Sequence, residues 1–158
     1  MFILTEHNMK VNTTMEGPKR AIEEEIFRCA VEALKKTAPV QTEIETLELE
    51  PPYTAGFQSD RVIRIVMHGR ELTYYAEIKT ALTKAQKLVL LLHKGKLQYP
   101  LLLIAKYVNP EMAEQLREGD IEFIDTAGNA FINQPPLYIF VKGNRLTETV
   151  GQIPVKRA

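Results

Sequence analysis

The period of the hydrophobic positions changes several times along this chain, and each change marks an element. Residues 1–16 show little periodicity and read as an arm. Gly17-Pro18 looks like a helix start, with Pro18 at the first helical position and Glu23, Glu24 and Glu25 near the positive end of the dipole. Ile22, Ile26, Cys29, Ala30, Ala33 and Leu34 follow at helical spacing, which predicts one buried face, and Pro39 closes the helix. Residues 40–50, rich in Thr, Ile and Leu and ended by Pro51-Pro52, predict a strand. Segments 61–68 and 72–79 predict a hairpin with Gly69 and Arg70 as its turn. Helical spacing returns over 83–93, with Ala85, Leu88, Val89 and Leu92 as the expected buried face and Gly95 just beyond.

Residues 101–108 are apolar or aromatic apart from Lys106, which predicts a strand buried on both faces between helices, as in a parallel sheet. Asn109-Pro110 starts another helix, Met112, Ala113 and Leu116 give its inner face, and Gly119 stops it. Strands follow at 121–125, 130–133 and 137–141, with Gly128-Asn129 turning between the first two. Residues 144–158 turn polar. The expected order is α-β-β-β-α-β-α-β-β-β, an α/β domain whose mixed sheet is flanked by helices. An arm at 1–17, the domain at 18–143 and a tail or linker at 144–158 complete the division.

Composition narrows the class. The 158 residues suit one domain, and 45% apolar with 25% charged residues excludes a disordered chain. Twenty basic residues balance twenty acidic ones, so any contact with nucleic acid must come from a local patch. Cys29 has no partner for an internal disulfide. The apolar runs at 88–92 and 101–105 fall far short of the roughly 20 residues that span a bilayer. The start MFILTEH is too short for a secretory signal. These readings point to a soluble, cytoplasmic protein with no membrane partner.

With Gly69 and Arg70 as the turn, Asp60 falls opposite Lys79 and Val62 opposite Glu77. Directly paired residues share a sheet face. Ile63, Ile65, Met67, Leu72, Tyr74, Ala76 and Ile78 all fall on the other face, uniformly apolar or aromatic. Asp60, Glu77 and Lys79 therefore cluster at one end of the hairpin. Two carboxylates that close can share a hard divalent cation such as Mg²⁺, and an ammonium beside them can orient a water or stabilise charge on a phosphate. Glu23 borders the buried stripe of the first helix, whereas Glu24 points away and Glu25 sits farther round. The bland alternative is a solvated strand end with Lys79 paired to either acid.

Elsewhere, Asp125, Gly128 and Asn129 suit a tight polar turn, with a second polar edge that contacts substrate or a partner as the functional reading. Lys84, Lys87, Lys94 and Lys96 form a basic run, of which Lys84 and Lys87 could meet a phosphate backbone. His7, His68 and His93 lack an acid or Cys at ligand spacing, so no zinc site is expected. Cys29 reads as a core residue.

Helix, hairpin, an Asp at the start of the second strand and Glu77-Ile78-Lys79 in the third together resemble the core of the PD-(D/E)XK nuclease superfamily, over residues 18 to about 108. The resemblance implies a restriction-endonuclease-like α-β-β-β-α-β core, with a further helix and strands C-terminal to it. It makes Asp60 and Glu77 ligands of Mg²⁺ or Mn²⁺, Lys79 the catalytic lysine, and Glu23 or Glu25 an auxiliary acid. Gln86 resembles the glutamine that some members carry on the next helix, and Ser59 stands where the name-giving proline would be. Residues 100–132 resemble antitoxins and regulators of the AbiEi type, from type IV toxin–antitoxin systems, through Tyr107, Pro110 and the run Asp125-Thr126-Ala127-Gly128-Asn129. Such proteins commonly add a winged helix-turn-helix, and no such second and third helix is read here. The combined expectation is a nucleic-acid-associated domain of such a regulator or of a defence protein, with DNA as the first substrate and a metal-dependent nuclease activity. A non-catalytic scaffold that binds a cognate toxin protein, or a dimerisation domain forming a homodimer, is the alternative.

Overall fold

The computed structural model describes residues 17–37, 42–47, 61–67 and 69–146. These described residues form three helices, α1 (Gly17–Thr37), α2 (Lys84–His93) and α3 (Pro110–Glu118). Seven strands accompany them: β1 (Thr42–Leu47), β2 (Arg61–Met67), β3 (Arg70–Lys79), β4 (Leu101–Ala105), β5 (Glu122–Asp125), β6 (Ala130–Gln134) and β7 (Leu137–Val141). The element order is the one read from the hydrophobic pattern. All seven strands join one sheet in chain order. Strands β3, β4 and β5 are parallel, and every other neighbouring pair is antiparallel.

That strand order dictates where the helices go. Parallel neighbours cannot be joined by a tight turn, so α2 crosses from β3 to β4 and α3 from β4 to β5. Two crossovers of one hand, stepping the same way across a sheet, lie on the same face. Leu90 of α2 and Ala113 and Leu116 of α3 accordingly share one cluster with Val62, Tyr75, Leu101, Leu103 and Phe123. Helix α1 covers the opposite face. Its Ile26, Ala30 and Leu34 are buried against Ile63, Ile65, Tyr74, Ile78, Leu102 and Ile104. Strand β4 is thus interior, and all five of its residues are buried, as its unbroken apolar run predicts.

Local signals set the helix ends. Thr83 caps α2 reciprocally: its hydroxyl accepts from Gln86 N–H at 3.1 Å, and the Gln86 side-chain oxygen accepts from Thr83 N–H at 3.0 Å. Asn109 caps α3 through Met112 N–H at 2.8 Å, with Pro110 at the first helical position. Gly119 ends α3. Helix α1 already includes Gly17, so the three glutamates lie beyond its first turn, which carries no acid.

Three expectations change. Met67 pairs with Arg70 and Val62 with Tyr75, a register two residues away from the one predicted, with Arg70 in the strand rather than the turn. Gly69, at φ 76°, stands directly before the returning strand, in a conformation that costs glycine nothing. A two-residue shift leaves every side chain on its face, and Ile63, Ile65, Met67, Leu72, Tyr74, Ala76 and Ile78 do line the α1 side together. On α2 the expected inner stripe faces outward, and Leu90 is the buried residue of that helix. At the far end, Asn144 and Leu146 of the expected tail belong to the packed unit: Leu146 packs against the α1-side cluster, and Asn144 bonds Asn129. No helix among the described residues is long and apolar enough to cross a membrane.

Candidate functional site

Lys79 stands at the C-terminal end of β3. It opposes Ala105 in the parallel ladder, and its carbonyl accepts from Lys106 N–H at 3.3 Å. Because the sheet stops here, groups from both of its faces can meet around the edge. A cleft of about 500 Å³ forms at this point, lined by Lys19, Ile22 and Glu23 of α1, Ile78 and Lys79 of β3, Thr80, Ala81, and Gln86 of α2. Three predicted site residues, Glu23, Lys79 and Gln86, are therefore gathered in one place. The crevice beyond the carboxyl ends of parallel strands is where open α/β sheets usually bind ligands.

The individual positions refine that picture. Glu77 lies two residues before Lys79 on the same strand face, opposite Leu103 in the ladder, and is buried with 8% exposure. The Glu77 side chain is thus largely shielded from solvent. Glu23 and Glu25 are half-buried, and Glu24 is exposed, as helical spacing predicts. Glu24 nonetheless has a partner: its carboxylate accepts from the Arg61 guanidinium at 2.8 Å, and that guanidinium sits 4.4 Å above the centre of the Phe27 ring. Asp60, the residue before Arg61, lies outside the described residues. The pairing of Asp60 with Lys79 followed from the register now corrected, in which β2 and β3 are offset by two. Among the described residues, no group of three or more His, Cys, Asp or Glu gathers around a common point.

The expected substrate contacts divide. Lys84 is exposed at the start of α2. Lys87 already donates to Gln115 Oε1 at 2.8 Å, across to α3. Gln86 faces the cleft while its oxygen serves the helix cap, so its amide nitrogen is the part placed to meet a ligand.

Asp125 and Asn129, expected as substrate contacts, are both buried and bonded within the fold. Asp125 is fully buried, and each oxygen of its carboxylate accepts twice. Oδ1 takes Ala127 N–H and Asn129 N–H, both at 2.9 Å. Oδ2 takes Val108 N–H and Asn129 Nδ2, both at 2.8 Å. Asn129 in turn accepts from Asn144 N–H at 2.9 Å and donates to the Asn144 carbonyl at 3.1 Å. Thr37, at the end of α1, donates to the Gly128 carbonyl at 2.8 Å. One carboxylate thereby ties the loop after β5 to the loop after β4, and Asn129 ties it to the chain beyond β7. Burial pushes the Asp125 carboxyl above its ordinary range, while these four hydrogen bonds favour its charged form.

The pattern did not single out Glu122, whose signal was an acid inside an apolar strand. It is buried, and its carboxylate accepts from Tyr74 Oη at 2.5 Å and Gln134 Nε2 at 2.6 Å. Burial raises its pKa, against the pull of those donors. Lys19, one turn before Glu23 on α1, was also missed as a cleft residue. A larger groove of about 900 Å³ runs between the second half of α1 and the loop after β5, where Arg28, Lys36 and Arg145 mix with Glu32. Its charges are of both signs, and none of the predicted catalytic residues reaches it. Comparison with known proteins finds no family model, no curated protein and no solved structure that matches this chain.

Proposed function

We propose that this chain is a restriction-endonuclease-like, nucleic-acid-associated domain of an AbiEi-like regulator or a defence protein, and that the cleft at the end of β3 works as a Mg²⁺-dependent phosphodiesterase site. The observation that carries the reading is the meeting of Glu23, Lys79 and Gln86 in one cleft, with Glu77 two residues before Lys79 on the same strand face. The strand pairing supports it as well. A helix, three antiparallel strands, a helix and a parallel strand follow one another in the order such a core requires.

The donors offered are hard. Carboxylate oxygens from Asp60 and Glu77 are the ligand type Mg²⁺ takes, and the Lys79 ammonium cannot be a ligand. When bound, the metal would supply Lewis-acid stabilisation of a phosphate oxygen. Lys79 holds a positive charge at the cleft, where it can orient a water or stabilise negative charge growing on the phosphate. Glu23, on the opposite wall, can accept a proton from that water, and the Gln86 amide can donate to a phosphate oxygen. Lys84, exposed at the next helix start, offers a backbone contact for the strand beyond the cleft.

Calorimetry with Mn²⁺ tests this before any substrate is known. Saturable binding is expected in the wild type and should weaken strongly in Asp60→Ala and Glu77→Gln; the isosteric amide is chosen because Glu77 is buried. Lys79→Ala should bind the metal nearly as well yet lose cleavage of DNA or RNA. No saturable binding, or binding indifferent to Asp60→Ala and Glu77→Gln, would leave a non-catalytic, partner-binding domain as the better reading.

A further inference from the structure

Helix α2 carries an apolar surface that nothing in the described residues covers. Leu88 and Leu92 are each 56% exposed, with Val89 and Leu91 beside them at 41% and 38%. Ala85, Leu88, Val89 and Leu92 stand at i, i+3, i+4 and i+7, which is one face of a helix and the spacing of helix–helix recognition. The face is held rigidly. The Thr83–Gln86 box caps the helix, Lys87 bonds Gln115 at 2.8 Å, and Lys94 pairs with Asp120 at 3.5 Å, fixing α2 to α3.

The segment that carries this face is basic. From residue 80 to residue 110 the chain carries Lys84, Lys87, Lys94, Lys96 and Lys106 and no Asp or Glu, although it is balanced overall. We propose that the outer face of α2 docks an acidic amphipathic helix of a protein partner, whose apolar side meets the Ala85, Leu88, Val89 and Leu92 stripe and whose carboxylates meet the exposed Lys84 and Lys96 at its two ends. A second copy of this chain fits poorly, because it would set those lysines against their own kind. An anionic lipid surface fits poorly too. It is broad enough to meet α3 alongside, where Glu111, Glu118 and Asp120 are exposed, while a single helix need not touch them. Nucleic acid has no use for four exposed aliphatic side chains. The proposal is independent of the cleft at the end of β3.

The probe is a synthetic helical peptide with a leucine stripe flanked by glutamates, read by fluorescence anisotropy, with a control peptide carrying lysines in place of the glutamates. The acidic peptide should bind saturably and the basic one about tenfold more weakly or worse. Leu88→Gln with Leu92→Gln should abolish binding, and Lys96→Glu should weaken it. Hydrogen exchange on the unsubstituted chain asks the same question without a mutation, with slowed exchange over 84–96 expected on adding the acidic peptide. Four results overturn the proposal: equal binding of the two peptides, protection elsewhere, sedimentation as a dimer that the double substitution dissociates, or partition onto phosphatidylserine vesicles that it abolishes.

Discussion

Replacing Asp125 by alanine tests whether the Asp-x-x-Gly-Asn loop belongs to the fold or to a binding edge. The carboxylate accepts from Val108 N–H, Ala127 N–H, Asn129 N–H and Asn129 Nδ2. Ala127 is half-buried, so water can replace one bond, and Asn129 Nδ2 keeps the Asn144 carbonyl. The N–H groups of Val108 and Asn129 are left buried without an acceptor. At about 1–3 kcal/mol for each orphaned donor, Asp125→Ala should cost about 2–6 kcal/mol of folding stability. Asp125→Asn should recover little of this, because its amide nitrogen must face two N–H donors on one side of the loop. Urea unfolding followed by far-ultraviolet circular dichroism would read both losses as a lower midpoint at unchanged slope. A residue whose charge met only a ligand would tolerate the amide. Both variants lying within about 0.5 kcal/mol of wild type, the range of an ordinary surface substitution, would refute the structural account and restore the loop as a binding edge.

Two further outcomes follow from the same packing. Gly128 has φ 94°, and a Cβ there would stand 2.8 Å from Thr37 Oγ1 and 3.1 Å from Asn144 Nδ2. Gly128→Ala should therefore cost about 2–5 kcal/mol from backbone strain and overpacking together. Gly69→Ala meets nothing within 4 Å and should cost only the backbone share, about 1–2 kcal/mol, in the same urea assay. The buried Glu122 binds its proton more tightly in the folded chain than in the unfolded one. Its contribution to stability is therefore largest at acid pH and falls as pH rises from the ordinary glutamate value through the raised one. The stability of wild type relative to Glu122→Gln, measured across that range, should decline with pH, and a difference that rises or stays flat would count against a raised carboxyl.

Much of this protein was legible one segment at a time. The cap at Asn109, the stop at Gly119, the interior strand that starts at Leu101 and the two faces of the hairpin all depend on residues a few positions apart, where backbone sterics and side-chain period act alone. Wherever the answer depended on which surface meets which, sequence could offer only alternatives. Register along the hairpin slipped by two because both registers keep the same apolar face, so the pattern had nothing with which to tell them apart. The α2 stripe has the period of a helix, but period says only that four residues share a side. Which side meets the sheet is decided by the crossover geometry, and that turned Leu90 inward and the stripe outward. The Tyr74–Glu122 pair joins residues 48 positions apart, and the four bonds of Asp125 include one reaching back to Val108. Glu23, Lys79 and Gln86 were each visible as candidates, yet their meeting in one cleft required α1 to reach the edge where β3 ends. Local chemistry decides what each segment is; the order in which parallel strands must be crossed decides what it faces.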